Sequence, residues 1–408
     1  MAETYAVLRD MSRIGSAEPF RGRSVPMGSV AGPAGAAPPS APRIDRLELT
    51  KREVADLARS PEVEAVAPVM PTSLVRPVGD DEIDVDAAAD DAPGGVAWGL
   101  TAVGADTSAR TGAGVTVAIL DTGIDSSHSA FTGVTLVQED FSGSGNGDQQ
   151  GHGSHCAGTV LGRDVDGTRI GVARGVERAL IGKVLGDDGS GDSDMLFRGM
   201  QWAVQQGAQV ISMSLGFDFP GLVKRLVDGG WPADLATSRA LESYRANLRM
   251  FDALMSMIAA QVDFTGGVVV VAASGNESRR QVDPDYEIGV SLPAAAEGVL
   301  STGALGRSAA GLVVAPFSNT FPQWSGPGVG VLSVEAGGGL VSFSGTSMAT
   351  PHAAGVAALW WEDVRESPLP QSAPTVTARM LAAADLSALA QSVDVADRGV
   401  GLVRAPQP

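Results

Sequence analysis

Five runs of apolar residues govern what this chain can become: VTVAIL (115–120), ALIGKVL (179–185), AQVISMSL (208–215), GVVVVAAS (267–274) and GVLSTGAL (298–305). None keeps a strict alternation of apolar and polar residues, so neither face of the strand it forms can be turned to water. Helical stretches separate the runs. That succession predicts an α/β fold, a mainly parallel sheet with helices on both faces in a three-layer α/β/α arrangement. With 408 residues, the chain exceeds the roughly 250–300 at which a single core stops growing, which leaves room for one large body and a smaller companion. In open parallel sheets, sites form beyond the carboxyl ends of the strands. The residues directly after the five runs are therefore the first candidates for function.

The companion precedes them. Residues 44–70 read as strand, helix and strand, with Thr50 as helix N-cap, Glu53 three positions on, and Pro61 closing the helix. Tyr5–Arg9 supplies a further strand. Between them SVAGPAGAAPPSAP (29–42) is too rich in Gly, Pro and Ala to pack and reads as a flexible linker. GDDEIDVDAAADDAPGG (79–95) combines acids with Pro and Gly, the composition of a solvated connector. The expected organisation is a small α+β module over 1–78, an acidic linker over 79–95 and a large domain over 96–408.

Composition excludes several partners. A formal charge of −18 repels phosphate backbones and anionic lipid, both of which need clustered Lys and Arg. No apolar run approaches the ~20 residues of a membrane span. The start, MAETYAVLRDM, lacks a basic and then apolar leader, so the expectation is a cytoplasmic protein, or a secreted one whose signal has been removed. Cys156 is the single cysteine, which excludes an internal disulfide framework.

Four segments carry residues that could do chemistry. The first run leads into Asp121 of LDTGID, where a carboxylate at a strand end, beside a tight turn at Gly123, could orient an imidazole. Asp before Gly is also ordinary turn chemistry. GHGSHCAGT (151–159) puts His152 between two glycines at a helix start, with His155 three positions on the same face, and spacing alone does not choose between them. In SGTSMATPHAAGVAALWW, Ser347 begins an apolar helix with Pro351 in its first turn, and unpaired amides at that end suit a nucleophile and its oxyanion, though Ser is equally a common N-cap. Asn276, after GVVVVAAS, would aim an amide at the same crevice or serve a turn.

In the order Asp121, His152, Asn276, Ser347, the segments LDTGID, HGSHCAGTV, AASGNES and SGTSMATPH resemble the four signatures of the subtilisin-like serine proteases, the subtilases. KVLGDDGSG (183–191) and VISMSLG (210–216) resemble the family's substrate-binding strands, and the likeness runs from about Val96 to the closing RGVGLVRAPQ. The resemblance implies a serine endopeptidase acting on polypeptides: Ser347 the nucleophile, His152 rather than His155 the base, Asp121 its orienting carboxylate, and Asn276 with the Ser347 N–H the oxyanion hole. It makes Asp125, His128, His155 and His352 supporting residues. Gly189, Ser190 and Gly191 on one side and Ser214, Leu215 and Gly216 on the other would pair with an extended substrate. Ser214–Gly216 together with Ala272, Ala273, Ser274 and Gly275, all but Leu215 small, would wall the P1 pocket and leave room for a sizeable apolar side chain. An acyl-enzyme intercepted by an amine would make the same site a ligase or cyclase, and a chain with the groups but no turnover would be a peptide-binding pseudoprotease.

The sequence also departs from the family. Residues 217–266 replace a short helix, and Leu241, Tyr244, Leu248, Phe251, Leu254, Met255 and Ile258 predict a long amphipathic helix there. It either packs on the body or narrows the cleft and docks a protein partner. Ala130 stands where many relatives have a calcium-binding Asp, which implies that this calcium site is absent; the family chemistry requires no cofactor, and a structural calcium elsewhere is left unassigned. The DxDG of Asp164 and Asp166 reads as a solvated turn. Cys156 follows the second His of its motif, as in the proteinase K branch. The 44–70 module resembles the second half of a subtilase propeptide, which implies an N-terminal inhibitor released by cleavage between about 70 and 97.

Overall fold

A computed structural model describes residues 2–13, 42–79 and 94–408. The Gly/Pro/Ala linker, but for Pro42, and the acidic connector, but for its ends, lie outside the described residues. The small module is a separate three-stranded antiparallel sheet in the order β2-β1-β3, built from β1 (Glu3–Arg9), β2 (Arg43–Leu49) and β3 (Val63–Pro68), with α1 (Lys51–Leu57) between the last two. α1 opens on a reciprocal capping box: Thr50 Oγ1 accepts the Glu53 N–H, and the Glu53 carboxylate accepts the Thr50 N–H at 2.7 Å. Alternation along β1 divides its side chains. Tyr5 and Val7 pack towards α1, whereas Ala6 and Leu8 join the core of the large body.

β4 (Pro71–Leu74) follows and belongs to neither sheet. After α2 (Trp98–Val103), the large body adds β5 (Thr116–Asp121), β6 (Thr135–Asp140), α3 (His152–Leu161), β7 (Arg178–Lys183), β8 (Ser190–Asp192), α4 (Ser193–Gln205), β9 (Val210–Met213) and β10 (Leu215–Phe217). Then come α5 (Phe219–Asp228), α6 (Ala233–Ala259), α7 (Val262–Thr265), β11 (Val269–Ala273), β12 (Val299–Ser308), β13 (Gly311–Val314), β14 (Trp324–Pro327), a β15–β16 hairpin over 331–343, α8 (Thr346–Arg365) and α9 (Ala373–Ala383).

The central sheet runs β13-β12-β11-β9-β5-β7-β6, with β14 also on β12, and every pairing but β12–β13 is parallel. Along β5, Val117 and Ile119 pack under α3 and α8, while Ala118 and Leu120 pack under α4 and α6. The three-layer α/β/α expectation holds. The apolar runs become β5, β7, β9, β11 and β12. AQVISMSL splits, because β10 peels off the sheet after Ser214 to pair with β4.

The 217–266 segment forms α5, the 27-residue α6 and the short α7. Phe251, Leu254 and Ile258 of α6 lie in the body's core. Its N-terminal and middle turns meet the small module: Asn247 Nδ2 donates to Pro68 O (2.9 Å), and Arg239 pairs with Glu3. Leu241 is instead 48% exposed. Pro351 is a correction: it is the sixth residue of α8, beyond the first turn. Its missing N–H frees the Ser347 carbonyl four residues back, and that oxygen accepts from Ser214 Oγ (3.1 Å) and Cys156 Sγ (3.5 Å) instead.

Candidate functional site

Three elements converge on one buried point. Asp121 ends β5, His152 begins α3 and Ser347 is the second residue of α8; their exposures are 1%, 1% and 0%. Asp121 Oδ1 lies 2.8 Å from His152 Nδ1 and also accepts the Thr122 N–H at 2.8 Å. The approach of β5 to α3 is only open to glycine. A Cβ on Gly123, whose φ is +109°, would meet Gly147 O at 2.1 Å, and one on Gly153 would meet Gly123 O at 2.2 Å. Burial opposes charge on His152, but Asp121 and the neighbouring Cys156 outweigh it and hold the imidazole pKa well above its usual value.

The other two histidines of these motifs behave differently. His155 Nε2 faces Val331 O (3.0 Å) and its ring stacks on Phe343; burial pushes its pKa down to about 3. His352 Nδ1 faces Met348 O (2.8 Å), and burial lowers it to about 4. His128 caps a turn and faces Gly339 O, and Asp125 accepts from Ser127 and Gly337. Cys156 is buried with Sγ 3.7 Å from His152 Nδ1, and burial raises its pKa. Asp121, His152 and Cys156 are the one group of three His, Cys, Asp or Glu side chains among the described residues with donor atoms close enough to share a metal ion. Asp164 faces Arg174 at 3.9 Å.

Asn276 is locked from behind. Its Oδ1 accepts the Thr346 N–H (2.9 Å) and the Thr346 hydroxyl (2.8 Å), which leaves Nδ2 pointing outward as a donor. Ser214, Leu215 and Gly216 line one side of a cleft, and Gly189, Ser190 and Gly191 the other. Ala273, Ser274 and Gly275 lead into Asn276.

A segment of the chain itself lies in that cleft. β4 pairs antiparallel with both β10 and β8: Ser73 sits opposite Gly216 on one edge and Ser190 on the other. Beyond it the chain crosses Ser347 and Asn276. The Val75 side chain lies against Gly216, and Ser347 Oγ donates to Val75 O at 2.9 Å, with Ser214 O a second acceptor at 3.3 Å. Asn276 Nδ2 donates not to Val75 O but to the next carbonyl, that of Arg76 (2.9 Å), and Val78 N–H donates to Ser344 O (2.7 Å). His152 Nε2 has no hydrogen-bond partner among the described residues.

Sequence reasoning missed two contributors. Asp148 is a buried carboxylate between the Asp121 turn and α3. The hydroxyl of Tyr244, on the inserted helix, accepts the Leu292 N–H (3.1 Å) beside the cleft wall. Asp148 stands in a Gly-rich loop, and only its fixed distance from His152 could have signalled it.

The sequence profile described as Subtilase family matches residues 112–401. The chain is 30% identical over 320 residues to a thermostable alkaline protease of Halalkalibacterium halodurans, covering 76% of this chain and 70% of that protein. It is 33% identical over 269 residues to subtilisin DY of Bacillus licheniformis, covering 65% and 84%, and 32% identical over 258 residues to an intracellular serine protease of Paenibacillus polymyxa, covering 61% and 67%.

Proposed function

From the premise that this chain belongs to the subtilase family and is a serine endopeptidase, we propose that Ser347 is its nucleophile, His152 its base, Asp121 the carboxylate that orients the base, and Asn276 its oxyanion donor. The observation that carries this assignment is the 2.8 Å contact of His152 Nδ1 with Asp121, buried at the carboxyl end of the sheet next to Ser347. In the reaction His152 Nε2 takes the Ser347 proton as Oγ attacks the substrate carbonyl carbon. The oxyanion receives the Asn276 amide and the Ser347 N–H at the start of α8, where the helix dipole favours negative charge. His152 then returns the proton to the leaving amine, and water repeats the cycle on the acyl-enzyme. No metal enters these steps, and a structural calcium is not assigned.

We further propose that the chain is made self-inhibited, with residues 1–78 as the inhibitor. β4 copies a substrate by pairing on both edges of the cleft, and Val75 takes the place of the P1 side chain. Hydrolysis needs one carbonyl to meet both the serine oxygen and the oxyanion donor. Here Ser347 Oγ touches the Val75 carbonyl while Asn276 holds that of Arg76. Pro77 offers no N–H, so the next pairing, to Ser344 O, falls to Val78. The strap is thus one residue too long across the reactive groups to be cut there, and release requires cleavage elsewhere, within 79–97.

Beside Asn276 lies a cavity of about 1350 Å³ whose walls include Phe217, Phe219, Leu241 and Tyr244. Its far wall carries Glu277, Arg279, Asp285 and Glu287; Glu277 is taken up by the Asn319 amide at 2.6 Å and Glu287 by Arg280 at 2.9 Å. The apolar walls favour an apolar P1 side chain larger than valine. The inserted α6 serves two partners in this reading: it lines the cavity, and it docks the inhibitory module through Asn247 and Arg239.

The test is hydrolysis of a P1-varied peptide series by wild type and Ser347→Ala, with N-terminal sequencing of the active protein. Expected are loss of turnover in the variant, preference for Phe, Tyr or Leu at P1, and a mature start between 79 and 97. Full turnover by Ser347→Ala refutes the nucleophile; fully active protein that begins at residue 1 or 2 refutes the inhibitor.

A further inference from the structure

Asp148 has no role in the chemistry described so far, yet it is the most heavily bonded carboxylate near it. It is 8% exposed, and both oxygens are used twice. Oδ1 accepts the Thr122 hydroxyl (2.9 Å) and the Gly151 N–H (2.8 Å); Oδ2 accepts the Ser154 N–H (2.8 Å) and the Ser154 hydroxyl (2.7 Å). Its partners extend the network. Thr122 Oγ1 accepts the Gly153 N–H at 2.9 Å, and Ser154 Oγ accepts the Asp125 N–H at 2.8 Å. Thr122, Ser154 and Asp148 therefore stitch the 121–125 turn to the first turn of α3. Those are the two pieces of backbone that carry Asp121 and His152.

We propose that Asp148 is a positioning residue for the reaction: it holds the turn after β5 against the start of α3 and so fixes the Asp121–His152 hydrogen bond. This inference rests on the reading of Asp121, His152 and Ser347 as the reacting groups. The glycine contacts allow the two backbones to approach but supply no attraction, since Gly123 and Gly153 meet through bare backbone. Attraction comes from the carboxylate, which satisfies two amides at the N-terminal end of α3 and interacts favourably with the dipole there. Asp148 touches neither substrate nor the reacting atoms. Its effect passes through the orientation of the imidazole, and errors of about 1 Å in such a group cost on the order of a hundredfold in rate.

Asparagine in its place keeps the shape but turns an NH₂ towards donors. In the full chain, Ser347 labelling by a fluorophosphonate is measured against pH for wild type, Asp148→Asn, Thr122→Val and Thr122→Ser. Every probe meets the same strap, so the ratios report the reactive groups. The expected result is labelling slowed roughly 10- to 100-fold in Asp148→Asn, with the pH midpoint of labelling shifted down towards that of an ordinary histidine. Thr122→Val moves both readings the same way by a smaller factor, and Thr122→Ser restores them. An Asp148→Asn protein with native circular dichroism, unchanged rate and unchanged midpoint overturns the inference. Should that variant fail to fold, an unaltered rate and midpoint in Thr122→Val overturns it instead. Protein that labels nowhere even when the strap carries Val75→Glu refutes the assignment of Ser347 itself, a result distinguishable from equal labelling of wild type and Asp148→Asn.

Discussion

The groups proposed to react and the strap that covers them are held by opposite kinds of structure. Asp121, His152 and Ser347 are set into the ends of β5, α3 and α8, each buried and each anchored by side chains that tolerate little change. The strap at 71–78 is held mainly by backbone pairing, which is blind to most side chains. Its grip on the reactive groups comes down to three hydrogen bonds, from Ser347, Asn276 and Val78. In the proposed reading, chemistry is stored in the rigid region and its restraint in the replaceable one. Substitutions in the first should lower activity, and substitutions in the second should raise it.

The largest expected effect lies in the rigid region. Asp121→Asn should reduce kcat by roughly 10⁴, because an amide in its place favours the wrong imidazole tautomer; steady-state hydrolysis of a peptide substrate by activated protein checks this. Asn276→Ala should reduce kcat by about 10² to 10³ with little change in KM, the cost of one oxyanion donor. Equal losses from both would mean that the two groups do not act in separate steps of charge stabilisation.

The next effect has the opposite sign. Val75→Glu puts a charge against Gly216 where a buried apolar side chain now sits, and an uncompensated buried charge costs about 3 kcal/mol or more. The full-length variant should hydrolyse peptides on the order of a hundredfold faster than full-length wild type.

A third reading is in pH. The base acts only when neutral, and the folded pKa of His152 lies well above the ordinary 6.5. Activity is therefore present above that raised pKa and is lost as pH falls through it. The same raised pKa contributes stability that is fully present below 6.5 and disappears as pH rises through the folded value. Rate should rise and thermal stability should fall over the same window, from 6.5 up through the raised pKa, measured by kcat/KM and melting temperature over one pH series. The smallest effect is at the edge of the strap's module. Arg239→Ala removes the pair to Glu3, a partly exposed contact worth less than about 1 kcal/mol, so full-length activity should rise by a few-fold at most.

The rigid region was also the more legible in sequence. Apolar runs gave β5, β7, β9, β11 and β12 because strands buried on both faces need nothing but apolar residues. The order of Asp121, His152, Asn276 and Ser347 then brought the motifs to one edge of that sheet. β6, TLVQED, was hidden because an edge strand keeps polar residues. β14, WSGP, is a strand only because β12 offers it a partner. β4, PTSL, has the composition of a turn, and becomes a strand by finding β8 and β10 on both sides: long-range pairing overrides local propensity. Asp148, in a run of glycines, looks like loop chemistry until Thr122 and Ser154 are seen around it.

One measurement reaches the central claim most directly: the rate and position of fluorophosphonate labelling in the full chain, compared between wild type, Val75→Glu and Val75→Glu with Ser347→Ala. The account predicts slow labelling of wild type, labelling at Ser347 at least about tenfold faster in Val75→Glu, and none in the double variant. Equal rates in the first two, or a label that persists when Ser347 is gone, would contradict it.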